Sequence, residues 1–376
     1  VRDRPALPSS EDITAVCAAE QAALNLEHGP LARAIWFAGD AGDPGRLFIV
    51  IHHLAVDGVS WRILLEELWT AYEAAVTGGV PSWAAPTVSP GAWARWLQQF
   101  TAQGGFASEK THWSSLAALP AEPLPRDLPD SENTVDSAGF LRVALTAVET
   151  ESLLRRALAA HGCQINDLLL AALALALREW TGRESQVIHL EGHGREAAGS
   201  GLDFSRSVGW FTTLYPVRLD LRGATEATRA LGAVQTQLAA VPGRGLGYGV
   251  GRFLHHPPLW EPATAEICFN YLGQFDGLVG PQAPFAPAEE AVGFHHSPRG
   301  TRAHGIDLNG LVTGGELRFE WHYPAARLRP ATIARLAERH LAHLRALIAA
   351  AGTAARPPIS GLSETELDRA ISEIEL

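Results

Sequence analysis

Two blocks of residues combine side chains that move protons with a backbone able to present them. In the first, His52-His53-Leu54-Ala55-Val56-Asp57-Gly58, two imidazoles stand at the end of an apolar run with an Asp-Gly break behind them. A neutral imidazole takes or gives a proton near neutral pH, so one of these rings can serve as acid or base. In strict strand alternation the two rings face opposite sides, and the pattern leaves open which of them enters a cavity. Histidine pairs recur at His255-His256 and His295-His296, but the apolar strand and the turn set the first pair apart. In the second block, Glu191-Gly192-His193-Gly194-Arg195-Glu196, a carboxylate ends a strand beside glycines that let a substrate approach the backbone. Partly withdrawn from water, such a carboxyl binds its proton more tightly, as a general base requires. The competing reading is a solvated turn whose charges pair with one another.

Other patterns carry less. His189 and His193 are four apart but straddle a strand end and a glycine turn rather than one helix face, and no metal is expected. The glycine-rich stretch Pro242 to Gly251 lacks the Lys-Ser/Thr ending of a P-loop and reads as a flexible loop. Phe269-Asn270-Tyr271-Leu272-Gly273-Gln274 sets an amide and a phenol on a strand, to bond a substrate or to satisfy the core. Without a G-x-S-x-G elbow or a cysteine signature, a covalent hydrolase finds no support.

The elements that must position these blocks follow from periodicity. Gly45 to Leu54 reads as a strand covered on both faces; Asp57-Gly58 breaks it, and Trp61, Leu64, Leu65, Leu68, Trp69 and Tyr72 recur at helical spacing. Ser9 and Asp12 resemble a cap for a helix through Val16 and Ala19, and residues 89–117 read as helical. Leu119 to Ser137, with four prolines, marks a boundary. Beyond it come strands at Gly139–Leu145, Val187–Leu190, Val208–Leu221, Ala265–Leu272 and Ile306–Val312, and an alternating one through Leu317, Phe319, Trp321 and Tyr323. Ile165 to Trp180 is apolar nearly all round, as a buried helix is, and an amphipathic helix spans Pro330 to Ala349. Residues 351–361 read as a linker, with Ser363 and Glu366 boxing a short acidic helix. The expected organisation is therefore α/β, with an N-terminal unit at 1–118, a linker at 119–137, a C-terminal unit at 138–350 and a tail at 351–376.

Composition excludes several classes of function. The 376 residues carry a net charge of −11 with no basic stripe, which argues against a nucleic-acid partner. The longest purely apolar run, Leu168 to Leu177, falls short of the roughly 17–25 residues of a membrane span. Three unclustered cysteines and a start without a signal-peptide core point to a reducing cytoplasm. Methionine is absent altogether, as expected of a processed chain or, preferably, a piece of a longer one.

Taken in order, His52 to Trp61, Glu191 to Glu196, Val208 to Val217, Gly245 to Gly249 and Phe269 to Asp276 resemble the epimerization domains of nonribosomal peptide synthetases. The resemblance covers roughly residues 45–350. The His-His-x-x-x-Asp-Gly element is shared with condensation domains and the chloramphenicol acetyltransferase-like superfamily, whereas Trp61 and the Glu191 block point to epimerization. The resemblance implies two α/β lobes in a V-shaped pseudo-dimer with a tunnel between them. It implies that a peptidyl carrier domain of the neighbouring synthetase modules delivers an aminoacyl or peptidyl thioester on its phosphopantetheine arm, with no cofactor bound by the domain itself. His53 and Glu191 are then the acid and base that epimerize the L-residue. His52, Asp57, Gly58, Trp61, His193, Arg195, Asn270 and Tyr271 support them, Asp57 by holding its turn through an arginine and Asn270 and Tyr271 by lining the tunnel. Such domains carry several dozen more residues before the position of Val1, so the first lobe is expected to be incomplete. The alternatives are a condensation-type acyltransferase forming an amide bond and a non-catalytic carrier-docking module; an acyltransferase has no evident use for Glu191.

Overall fold

Short apolar runs rich in Val, Ile, Leu and aromatic residues pair into two sheets, and the amphipathic stretches between them cover the sheets as helices. The computed structural model describes residues 2–4, 9–39, 44–120, 123–129, 132–195, 201–276 and 285–353. Along the chain come β1 (Arg2–Arg4), α1 (Ser10–Ala22), β2 (Ala32–Phe37), β3 (Arg46–Ile51), α2 (Gly58–Thr77), α3 (Pro90–Ala102) and α4 (Lys110–Ala117). Then follow β4 (Ala138–Ala144), α5 (Ala147–Glu151), α6 (Leu158–His161), α7 (Ile165–Thr181), β5 (Ser185–Gly192), β6 (Thr213–Asp220), α8 (Ala227–Ala239) and α9 (Leu246–Phe253). The last elements are β7 (Ile267–Gln274), β8 (Ile306–Thr313), β9 (Glu316–Pro324) and α10 (Pro330–Thr353).

The first sheet has the order β1-β2-β3; the second is mixed, with the order β4-β9-β8-β7-β5-β6 and parallel seams between β5, β7 and β8. Strict alternation gives the second sheet two different faces. Ile188, Leu190, Phe269, Leu308, Leu317, Phe319 and Trp321 join α7 and α10 in one large apolar cluster. The other face is polar: His189 pairs in register with Cys268, Cys268 with Asp307, and Asp307 with His322, while Asn270, Asn309, Glu320 and Arg142 form the next row. Glu191 falls at the head of that second row.

Several expectations need correction. The strand before the histidines stops at Ile51 and its residues are only half-buried, with Leu47 42% exposed, so it is not covered on both faces. Strand pairing of Val208 to Thr212 is replaced by contacts to the Asp57 turn, and β6 begins at Thr213. The glycine-rich stretch is a 3-10 turn followed by α9, not a loop. Its glycines serve close packing, since a Cβ at Gly245 would strike Tyr215, at Gly247 Glu109 and at Gly251 Trp260. The 89–117 stretch breaks between α3 and α4, and α4 sends Trp113 and Leu116 into the large cluster. Helix α10 runs past Ala349 to Thr353, so the expected linker begins as helix, and the capping pair Ser363 and Glu366 lies outside the described residues. Strands β1 and β2 and helix α8 add to the elements expected from periodicity. Among the described residues no single helix is long and apolar enough to cross a membrane.

Candidate active site

The residues singled out in sequence come from both sheets, and a buried polar clamp joins their supports. Asp57 caps α2, accepting the Ser60 N–H at 2.8 Å, as an aspartate at a helix start is suited to do. The same carboxylate accepts the Ser60 hydroxyl at 2.8 Å, the Phe211 N–H at 3.1 Å and the Arg195 guanidinium at 2.7 Å. Both side chains of the ion pair are nearly sealed from water, at 2% and 6% exposure. Ser60 extends the clamp to the backbone of Gly209, and Arg195 lies over the Phe211 ring at 4.5 Å. The expected arginine partner of Asp57 is thus Arg195. Gly194, with φ +66°, turns the chain between Glu191 and Arg195, where any Cβ would strike the Phe211 carbonyl.

That clamp fixes the turn carrying the histidines. His52 turns back on its own chain, its Nδ1 accepting the Leu54 N–H at 3.2 Å, and so caps the 3-10 turn His53–Ala55. The His53 ring is exposed and packs 5.2 Å from the Trp210 ring, itself 49% exposed. Both histidines lie beyond the end of the strand, so it is this turn, not strand alternation, that separates their rings.

On the second sheet, Glu191 accepts a hydrogen bond from the Asn270 amide at 2.6 Å and contacts the Cys268 thiol at 3.8 Å. Burial raises the proton affinity of this carboxyl above the usual carboxylate range, and a charged His53 across from it pulls that affinity partway back. Burial, followed by the carboxylates of Glu191 and Asp307, keeps Cys268 a thiol. Below it, His189 Nδ1 meets His304 Nε2 at 2.8 Å, His304 Nδ1 faces Asp307 at 3.3 Å, and Arg302 binds the other Asp307 oxygen at 2.6 Å.

The remaining expectations divide. Gly58 and Trp61 sit on the first turn of α2, and His193 Nδ1 receives the Arg195 N–H at 3.2 Å in an exposed turn. Tyr271 does not join Asn270: one residue further along the strand, it packs against the large apolar cluster, where burial pushes its phenol up to about 12. Glu196 lies outside the described residues. Sequence reading missed Trp210, Ser60 and the Cys268–His304–Asp307 group. Cys268 was within reach of it, since it lies two positions before Asn270 on a strand and hence on the same face.

A carboxyl of raised proton affinity on β5 and an exposed imidazole on the turn after β3 can each exchange a proton with a group that reaches both. The sequence profile of the condensation domain matches residues 5–358. A linear gramicidin synthase of Brevibacillus parabrevis is 42% identical over 366 residues, which are 94% of this chain but 5% of that protein. Tyrocidine synthase 1 of the same organism is 36% identical over 338 residues, 87% of this chain and 31% of that protein. The chain therefore spans only a minor part of these relatives' length. Among solved structures, the epimerization domain from the third module of tyrocidine synthetase B superposes with a TM-score of 0.86 at 34% identity, covering 93% of this chain and 80% of that one. The first condensation domain of the CDA synthetase shares the fold, with a TM-score of 0.62 at 18% identity over 94% of this chain and 76% of that one. With nearly its whole length matched by one profile, this chain belongs to the condensation-domain family.

Proposed function

We propose that this chain epimerizes an aminoacyl or peptidyl residue held as a phosphopantetheine thioester on a carrier domain. One observation carries the reading: Glu191, half-buried and held by the Asn270 amide at 2.6 Å, ends a strand whose following turn is tied by the Arg195–Asp57 ion pair to the segment that carries His53. A thioester delocalises an α-carbanion as an enolate, which lowers the cost of removing the α-proton. Glu191 or His53 takes that proton from one face and the other group returns one to the opposite face, inverting the carbon without net consumption of protons. The likeness to a solved epimerization domain at 34% identity supports the assignment.

In this reading residues 1–118 and 138–350 are the two lobes of a V joined by 119–137, and the carrier's arm enters the tunnel between them. Neighbouring synthetase modules supply the carrier. Asp57 and Arg195 are positioning residues, because they hold the His53 turn without facing the substrate. The second reading, acyl transfer to an amine assisted by His53, draws on the condensation-domain profile and leaves Glu191 without a role.

The test is α-proton exchange. With a carrier loaded with an L-aminoacyl thioester in D2O, wild-type protein is expected to incorporate deuterium at the α-carbon and to leave D-aminoacyl thioester on the carrier. Glu191→Gln is expected to lose about 10²–10⁴-fold of that rate. A folded wild type that exchanges nothing overturns the proposal and leaves acyl transfer or carrier docking.

A further inference from the structure

Beneath Glu191, on the polar face of the second sheet, lies a group of side chains that acid–base chemistry does not use. The donor atoms of Cys268, His304 and Asp307 all lie within 4.8 Å of one another. They come from three segments: β7, the loop before β8, and β8 itself. We propose that Cys268 Sγ, His304 Nδ1 and Asp307 Oδ1 form a three-ligand zinc-binding site whose fourth tetrahedral position is left to water.

Three features of the geometry fit that ion. Zinc accepts thiolate, imidazole and carboxylate together and prefers a tetrahedron, whose bond lengths of about 2.0–2.3 Å separate neighbouring ligand atoms by about 3.3–3.7 Å. The Nδ1 of His304 and the Oδ1 of Asp307 are 3.3 Å apart, and the Cys268 thiol belongs to the same group of atoms within 4.8 Å of one another. Two of the ligands have outer partners that orient them: His304 Nε2 is fixed by His189 at 2.8 Å and the second Asp307 oxygen by Arg302 at 2.6 Å. Cys268 and His304 are nearly sealed, whereas the Asp307 side chain is 33% exposed and leaves a way in for an ion.

Binding exchanges one proton: the Cys268 thiol releases it to solvent as the zinc–sulfur bond forms. With its Nδ1 on the ion, His304 carries its proton on Nε2 and donates it to His189 Nδ1. No redox change is involved. Sequence spacing carries no sign of this site, since Cys268 lies far along the chain from His304 and Asp307. Resting on the function proposed above, the consequence is inhibition: a dication bound at Cys268, whose Sγ is 3.8 Å from Glu191 Oε1, lowers the proton affinity of that carboxyl and weakens it as the base for an α-proton.

Cobalt(II) and zinc added alone to the intact protein test the site. Cobalt is expected to give a near-ultraviolet thiolate charge-transfer band and the intense visible bands of tetrahedral coordination, both abolished by equimolar zinc. The double variant Cys17→Ser/Cys163→Ser should keep this spectrum, and Cys268→Ser should lose it while folding normally by circular dichroism. His189→Ala is expected to weaken zinc roughly 10–100-fold, the usual effect of losing an outer partner. Absence of a thiolate band in wild type, or its survival in Cys268→Ser, overturns the site. In the exchange assay zinc should inhibit reversibly, with a chelator restoring the rate; bound zinc that leaves exchange intact overturns the link to Glu191. A wild type without exchange in the absence of zinc refutes the functional reading alone, and the cobalt spectrum still decides the site.

Discussion

The two sheets support their halves of the candidate site in different ways. Around the six-stranded sheet, α7 is buried at every position from Asp167 to Leu177, and the cluster it belongs to runs continuously to α10. Around the three-stranded sheet, the buried cluster is Ile13, Cys17, Ile35 and Phe37, and β3 has no buried residue at all. Glu191 is thus fixed by dense apolar packing, whereas the turn of His53 is fixed by the Asp57–Arg195 ion pair and its hydrogen bonds. Packing tolerates small shifts, but a buried ion pair tolerates the loss of neither partner.

Arg195→Ala should show the contrast most strongly. An aspartate left charged in a sealed site costs about 3–5 kcal/mol, read as a fall in denaturation midpoint. Amide exchange should accelerate first over residues 46–77 and leave residues 165–181 protected; equal loss in both regions would erase the contrast between the two sheets. Leu173→Ala, in the middle of α7, should cost about 2–5 kcal/mol through the cavity it leaves.

Acid should erode the stronger region's advantage. His340 is fully buried beneath Phe319 and Trp321, and burial lowers its pKa from 6.5 to about 4. The unfolded chain therefore takes up this proton first as pH falls. Stability from this group is complete above about pH 6.5 and is lost down to about pH 4, on the order of 3 kcal/mol in all. A melting-temperature profile of wild type against His340→Leu measures it: the variant should lack that share of the decline. The smallest effect belongs to the thinner region, where Ile49→Ala on half-buried β3 should cost only about 1 kcal/mol. A cost matching that of Leu173→Ala would mean that the first sheet is packed as tightly as the second.

Much of this was legible in the residues. Period-two alternation located β9, and all-round apolar character located α7, because those patterns report burial on one face or on all. The Asp-Gly break located the start of α2, since Asp57 is its cap. Long-range pairing was not legible: nothing in Val208-Gly209-Trp210-Phe211-Thr212 says that its backbone will bond to Ser60 and Asp57 instead of extending β6. The glycines of Pro242 to Gly251 misled for a similar reason, because glycine marks close approach as readily as freedom, and Tyr215, Glu109 and Trp260 are far away in sequence. At the candidate site, His53, Glu191 and Asn270 were identified from motif residues. Tyr271 was misplaced because adjacent strand residues cannot share a face.

The parallel seam between β5 and β7 is anchored by two pairings, His189 with Cys268 and Leu190 with Phe269. Deleting one residue from either strand would swap the two surfaces, sending Glu191 under α7 and Leu190 onto the polar face. Such a mutant would keep nearly the same composition and lose the Glu191–Asn270 contact, while added residues in the segment between α9 and β7 would leave that pairing untouched. Over evolutionary time, variation in length is therefore expected to accumulate between the strands and to be purged within them.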